Sequence, residues 1–278
     1  MKTIYAIKKT GGQTCNKFFQ YLYYLKKSVE NNNVLYIIRP DITVGDYPKL
    51  TNNNYIRYPL YSNRIASIIG SRTTVRILYK VADLLEFFHA ENFISIFTNG
   101  RIKFVDGQDH WNEDIDYTEL CSILREIFEL NEKDRKPIDE LLKKIPQNST
   151  LVAIHIRGGD YKYWRNGRYY FTPSDYFQFM KKIELENNSP TTFLISSNEN
   201  IDLELFHPLN VIKIPKAKAS QDLYAMSKCN YILGTVSTFS TWVSYLYQIP
   251  RYYFTDKDDY KNMRLCDFKP AINNIVTF

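Results

Sequence analysis

The chain has 278 residues, 44% hydrophobic, 15% aromatic and 24% charged, with 36 Lys and Arg against 30 Asp and Glu for a net charge of +6. This is globular composition, rich enough in apolar residues for a buried core, and it excludes a disordered or collagenous chain. The mild basic excess lacks the long cationic blocks of a nucleic-acid arm and fits an anionic ligand, a lipid surface or a plain solvated exterior.

Cys15, Cys121, Cys229 and Cys266 are scattered, with no CxxC pair and no His at ligand spacing, so neither a zinc site nor a disulfide framework is indicated and a reducing compartment fits. The opening MKTIYAIKKTGG is broken by Lys8 and Lys9 and lacks a signal-type apolar region. The longest uncharged stretch, Cys229 to Pro250, carries too many hydroxyls and amides for a membrane span.

In chain order, a first strand around Tyr5 to Ile7 meets a turn at Gly11 and Gly12. A helix follows with Phe18, Tyr21, Leu22 and Leu25 on its apolar face, stopped by Asn31 to Asn33. Val34 to Pro40 is a continuous apolar run of the parallel-sheet type, which makes the opening a β-α-β unit. Asp41 to Asn63 reads as a loop, Arg64 to Phe87 as helical, and Arg101 to Gly107 as a strand. An acidic linker, DHWNEDID, then leads to a helix through LCSILREIFELN and a further helix from Pro137 to Lys144.

The break between lobes is expected at Pro146 to Ser149. Beyond it come the strand LVAIHIR, a long turn with Gly158, Gly159 and Gly167, a helix from Pro173 to Asn187, and the strand TTFLISS. VIKIP, the helix ASQDLYAMSKC, the strand YILG, a helix from Ser237 to Tyr247 and the strand RYYF complete the pattern. Strand-helix alternation in both halves predicts an α/β protein of two lobes with parallel sheets, 1–147 and 148–278, facing a cleft.

Three segments carry chemistry. AIHIRGGDY brings His155 and Arg157 to one face of a strand end, where ligands of α/β sheets bind, ahead of Asp160. A guanidinium there suits a diphosphate, holding two oxygens at once; the alternative is a core histidine and a structural ion pair. The strand ending at Gly234 enters a helix through Ser237, Thr238, Ser240 and Thr241, which with free backbone N–H groups make a phosphate cradle, although helix capping is a competing use. GGQTCNKFFQY has neither dinucleotide nor P-loop spacing, and a ligand-free turn is its default reading.

Together, in this order, the segments resemble glycosyltransferase family 11, the α-1,2-fucosyltransferases. The likeness rests on Gly11, Gly12, Asn16, Phe19, Gln20 and Tyr21 against a GGLGNQMFQYA-like opening. His155, Arg157, Gly159, Asp160 and Tyr161 match HxRRGDY, and Ser197, Asn198 and Glu199 stand at an SDD-like strand end. Met226, Ser227, Cys229, Ser237 to Ser240 and Trp242 match MSxC...NSTFSWW.

The resemblance implies two Rossmann-like lobes of the GT-B type, with the C-terminal lobe binding a GDP-sugar and the N-terminal lobe taking the acceptor. It implies inverting, metal-independent transfer of fucose from GDP-fucose to a glycan hydroxyl, O-2 of galactose, in bacterial surface polysaccharide synthesis. His155, Arg157 and Asp160 are the expected catalytic residues. His155, Arg157, Ser197, Asn198, Ser237, Thr238, Ser240 and Thr241 are expected at the donor, with Gly12 and Asn16 reaching the cleft from the other lobe. No cofactor or metal is expected; a nucleotide sugar and a glycan are the partners. The protein is expected in the cytoplasm at the inner membrane face, without a transmembrane segment.

Four departures stand out: Gly158 replaces the second Arg of HxRRGDY, a family glycine near Cys15 is missing, Asn198 and Glu199 replace two acids, and Val236 replaces an Asn. Gly158 removes a positive charge near the expected donor phosphates, with Lys162 and Arg165 as candidates to replace it. A different nucleotide sugar and a catalytically silent glycan binder are therefore alternatives. Nucleic acid is not: the 23 Tyr and 17 Phe sit largely in core-type periodic segments.

Overall fold

The structure, a computed structural model, describes residues 3–98, 100–111, 113 and 115–272. Asn112 and Asp114 of the acidic linker, and Met1 and Lys2 of the opening, lie outside the described residues. The chain forms two compact units, Met1–Asn131 and Glu132–Phe278.

The first unit contains β1 (Ile4–Lys9), α1 (Thr14–Glu30), β2 (Leu35–Ile37), β3 (Ile56–Arg57), α2 (Asn63–Ile69), α3 (Ser71–Phe87), α4 (Ala90–Phe97), β4 (Ile102–Asp106) and α5 (Cys121–Ile127). Its strands are all parallel in the order β3-β2-β1-β4. Phe18, Tyr21, Leu22 and Leu25 of α1 are buried, as their spacing requires, and Asn31 ends the helix by donating its side-chain amide to the Lys27 carbonyl at 2.7 Å.

Two features depart from the sequence reading. The Asp41–Asn63 loop contains the edge strand β3, too short to leave a periodic signal. The helical run from Arg64 is broken into α2 and α3 by Gly70, whose φ of +86° lies in the left-handed region open to glycine.

The second unit contains α6 (Glu132–Leu142), β5 (Thr150–Ile156), α7 (Pro173–Glu186), β6 (Thr191–Ser197), β7 (Val211–Lys213), α8 (Ala219–Met226), β8 (Tyr231–Thr235), α9 (Thr238–Tyr247) and β9 (Arg251–Phe254). The parallel order is β7-β6-β5-β8-β9. Ile154 and Ile156 of β5 enter a core with Phe179, Met180, Ile183, Phe193 and Phe254. Strand alternation turns His155 to the opposite face. Thr172 and Asp175 form a reciprocal capping box at the start of α7, with Pro173 in the first turn, where a missing N–H is harmless.

The unit boundary falls between Asn131 and Glu132 rather than at 147/148. The physical reason lies in α6, which begins at Glu132 and carries Pro137 inside it instead of starting there. Lys218 holds Asp134 at 2.7 Å, and the Tyr224 hydroxyl donates to Asp139 at 2.6 Å, tying α6 to α8 of the second unit.

Candidate functional site

The second sheet turns back on itself at β5: the chain runs outward through β6 and β7, then crosses to β8 on the other side. Ligands of such sheets bind at the carboxyl ends of the strands flanking that reversal, here β5 and β8. This places the segment after His155 beside the segment after Gly234, although the two lie far apart in sequence.

Contacts join the two segments. His155 and Gly234 are register partners, and a Cβ on Gly234 would stand 2.9 Å from the His155 carbonyl oxygen, so the close approach requires glycine. The His155 ring stacks on Phe239 of α9, centroids 5.1 Å apart at 27°. Tyr161 donates its hydroxyl to the Val236 carbonyl at 2.8 Å, and the Arg157 guanidinium lies over the Tyr161 ring at 5.0 Å.

His155 is 4% exposed, and burial, with help from the charges of Arg157 and Arg251, pushes its pKa down to about 3. It is therefore a neutral imidazole at ordinary pH and a poor general base. Its Nδ1 is buried with no hydrogen-bond partner among the described residues. Arg157 places one terminal nitrogen 2.8 and 3.1 Å from the two carboxylate oxygens of Asp160. Asp160 thus holds the guanidinium at the strand end.

The hydroxyls beyond β8 divide by use. Ser237 caps α9 by accepting the Phe239 N–H, while buried Ser240 and Thr241 donate back to the Ser237 carbonyl at 3.3 and 2.7 Å. Helix capping and back-bonding thus occupy three of the four hydroxyls expected to meet a ligand. Thr238 is half-buried at the first helical position; of the first-turn N–H groups, that of Phe239 is taken by the Ser237 hydroxyl and that of Thr241 by the Ser237 carbonyl, which leaves those of Thr238 and Ser240 for a ligand.

Ser197, Asn198 and Glu199 brace the β5 turn. Asn198 accepts the Gly158 N–H at 2.9 Å, Glu199 accepts the Gly159 N–H at 2.8 Å, and Ser197 accepts the Glu199 N–H at 3.1 Å. The Gly159 N–H and Lys162 hold the Glu199 carboxyl below its ordinary pKa. The Glu199 carboxylate fills the space of a side chain at Gly158, so an arginine cannot occupy that position with Glu199 in this rotamer. Lys162, proposed above as a substitute cation, is paired with Glu199 at 3.0 Å, and Arg165 lies over Trp164.

Two residues here had no motif signal. Asp222, in the first turn of α8, is hydrogen-bonded by Ser196 of β6, and burial raises its pKa to about 7. Arg251 is buried, donates to Thr241, lies 4.8 Å over the Tyr253 ring, and has its pKa pushed down to about 10 by burial. Both were read only as parts of a helix and a strand, since nothing in sequence announces which side chain a neighbouring element will bury.

Gly12 and Asn16 lie together in the first unit, at the turn from β1 to α1. Gly12 has φ +73°, and its α-carbon is covered by the Asn16 amide. Gln20 clamps the turn by accepting the Gly11 N–H at 2.9 Å and donating to the Gly11 carbonyl at 3.2 Å. This turn also stands at the point where its sheet reverses, between β1 and β4.

The chain is 25% identical over 144 residues to galactoside alpha-(1,2)-fucosyltransferase 1 of Aotus azarae, covering 44% of this chain and 37% of that protein. It is 27% identical over 143 residues to galactoside alpha-(1,2)-fucosyltransferase 2 of Pongo pygmaeus, covering 45% and 39%. The match thus spans less than half the length of these relatives.

Among solved structures, POFUT1 in complex with GDP superposes with a TM-score of 0.59 at 9% identity, over 92% of this chain and 98% of that one. The fucosyltransferase NodZ from Bradyrhizobium gives 0.53 at 14%, over 91% and 95%. NodZ soaked with GDP-fucose gives 0.52 at 13%, again over 91% and 95%. These likenesses show a shared GT-B-like fold. The family profile itself matches residues 113–265, more than half of the chain and all of the β5 and β8 segments, and the protein belongs to glycosyl transferase family 11.

Proposed function

We propose that the protein transfers fucose from GDP-fucose to a hydroxyl of a glycan, O-2 of galactose, with inversion and without a metal ion. The observation that carries this reading is the meeting of Arg157 and neutral His155 with the first turn of α9 at the reversal of the second sheet. In support, the relatives named above are galactoside alpha-(1,2)-fucosyltransferases, and a structure of the same fold was soaked with GDP-fucose. The first unit is proposed to take the acceptor, a galactose-bearing glycan of a bacterial surface polysaccharide.

In this reaction the acceptor oxygen forms a bond to the sugar's anomeric carbon as the bond to the diphosphate breaks, through an oxocarbenium-like transition state. The acceptor hydroxyl's proton is released to solvent as its oxygen bonds to carbon, and negative charge builds on departing GDP. Arg157 answers that charge, and the N–H groups and Thr238 hydroxyl at the start of α9 supply fixed dipoles that need no reorganisation. Asp160 competes with the diphosphate for the guanidinium, so its role in this reading is to position Arg157 between turnovers.

A different nucleotide sugar is the second reading, favoured by one observation: Glu199 occupies the space of the arginine that Gly158 replaces. The test is incubation with GDP-fucose, GDP-mannose and UDP-sugars in excess EDTA, following slow donor hydrolysis and transfer. Turnover of GDP-fucose that falls about 10²–10³-fold or more in Arg157→Ala is the expected result. Turnover of another donor alone would establish the second reading, and silence toward every donor would favour a glycan-binding protein without activity.

A further inference from the structure

The helices of the first unit leave apolar surface uncovered. No residue of α2 is buried, and its three isoleucines, Ile65, Ile68 and Ile69, share one face, with Ile68 82% exposed. On α3, Ile77, Val81, Leu84 and Phe88, the last at the helix end, follow one another at spacings of four, three and four residues, and all are exposed. That spacing keeps them within an arc of about 60° on the outer surface. The same helix buries Thr74, Val75, Leu78 and Ala82 on a different arc, so the outer stripe is no part of the core.

Charge runs beside this surface. Arg72, Arg76 and Lys80 form a second exposed stripe at four-residue spacing, its centre about 100° around the helix from the apolar one, and Arg64 lies exposed on α2. None of the four cations has an acidic partner among the described residues. The acids of the same region are neutralised elsewhere: Arg39 holds Asp83 at 2.6 Å and Glu86 at 2.8 Å, and Lys8 holds Glu91 at 2.9 Å. A separate cavity of about 300 Å³ lies on the other side of α3, lined by Ala82, Leu85, Ile94, Ile102 and Phe104 with the paired Lys8, Glu91, Arg39 and Glu86, and is no part of this stripe.

We infer that the outer face of α2 and α3 docks the protein on an anionic lipid bilayer, with the isoleucine and leucine side chains entering the headgroup boundary and the arginines meeting lipid phosphates. An apolar stripe flanked by unpaired cations is the arrangement that lies flat in a charged interface. The unpaired cations single out an anionic partner. A second copy of this chain carries the same +6 net charge and the same cationic stripe, which repels it. This inference is independent of which donor the second unit uses.

The test is co-sedimentation with vesicles of phosphatidylcholine alone and of phosphatidylcholine mixed with phosphatidylglycerol, at low and high salt. The full chain is expected to bind the anionic vesicles, to ignore the neutral ones, and to be released by salt. Arg72→Glu/Arg76→Glu/Lys80→Glu should weaken binding about a hundredfold. Lys133→Glu/Lys136→Glu/Lys144→Glu, exposed in the second unit and losing the same charge, should retain affinity within about threefold, net charge alone being a weak determinant at a distance. Ile68→Asp should weaken binding about tenfold with an unchanged melting temperature, because α2 buries nothing that unfolding would release.

Failure of the wild-type chain to bind anionic vesicles would overturn the inference, as would equal losses in the two triple variants. A dimer seen by analytical ultracentrifugation and dissolved by Ile68→Asp, with vesicles left unbound, would assign the face to a second copy instead.

Discussion

At the scale of single residues, the site is governed by what burial does to charge. His155 has an ordinary pKa of 6.5 and a folded value of about 3, so the folded state loses stability as pH falls through that window while the unfolded chain takes up the proton. Asp222 has the opposite sign. Its folded pKa of about 7 stands above the unfolded 3.8, so stability is whole below about pH 4 and is lost as pH rises through 7. Asp222→Asn keeps a group for Ser196 to hydrogen-bond and removes the half-buried charge. It should therefore stabilise the protein by on the order of 2 kcal/mol at pH 8 and by nothing below pH 4, read from urea unfolding at both pH values. A gain equal at the two pH values would show that Asp222 is ordinarily solvated.

At the scale of elements, the β5 turn and the end of β6 form one device. Glu199 and Asn198 hold the Gly158–Gly159 backbone, and the Glu199 carboxylate stands where a longer side chain at 158 would go. The two departures from the family pattern therefore belong together. Gly158→Arg alone should lower transfer about tenfold or more and destabilise the chain by about 1–3 kcal/mol through overpacking. Gly158→Arg combined with Glu199→Asp, which shortens the carboxylate by one methylene, should recover most of both losses. A double-mutant cycle of turnover and melting checks this, and additive effects would mean the two positions act separately. The sequence displayed both departures but not their coupling, because residues 158 and 199 meet through the parallel pairing of β5 with β6.

At the scale of the whole molecule, each unit repeats one plan: a parallel sheet with a glycine-bearing turn where the strand order reverses. In the proposed reading only the second unit's turn meets the donor. GDP should then stabilise the protein by about 2.7 kcal/mol at a hundredfold excess over its Kd, seen as a rise in Tm. Arg157→Ala should abolish the rise, with a ligand-free melting temperature only a few degrees below wild type, since among the described residues it gives up one ion pair, to half-exposed Asp160, and the stacking of its guanidinium on Tyr161. A shift of equal size in the variant would place GDP elsewhere.

The alternation of apolar strands with helical segments was sufficient to specify two parallel α/β units, because parallel strands buried on both faces are continuous apolar runs and their crossovers carry a helical period. The motifs likewise pointed to His155, Arg157 and the start of α9, which the structure brings together. What the sequence left open were matters of packing. The unit boundary moved ahead of α6 because Asp134 and Asp139 find partners on α8, and three of four hydroxyls beyond β8 turned inward to the Ser237 carbonyl. Asp222 and Arg251 joined the region of the site only through the elements that bury them. Local pattern fixes which backbone conformation a segment takes, because hydrogen bonding and period act over a few residues. Which polar group a side chain meets depends on strands brought together from distant parts of the chain, and that was decided by the tertiary structure.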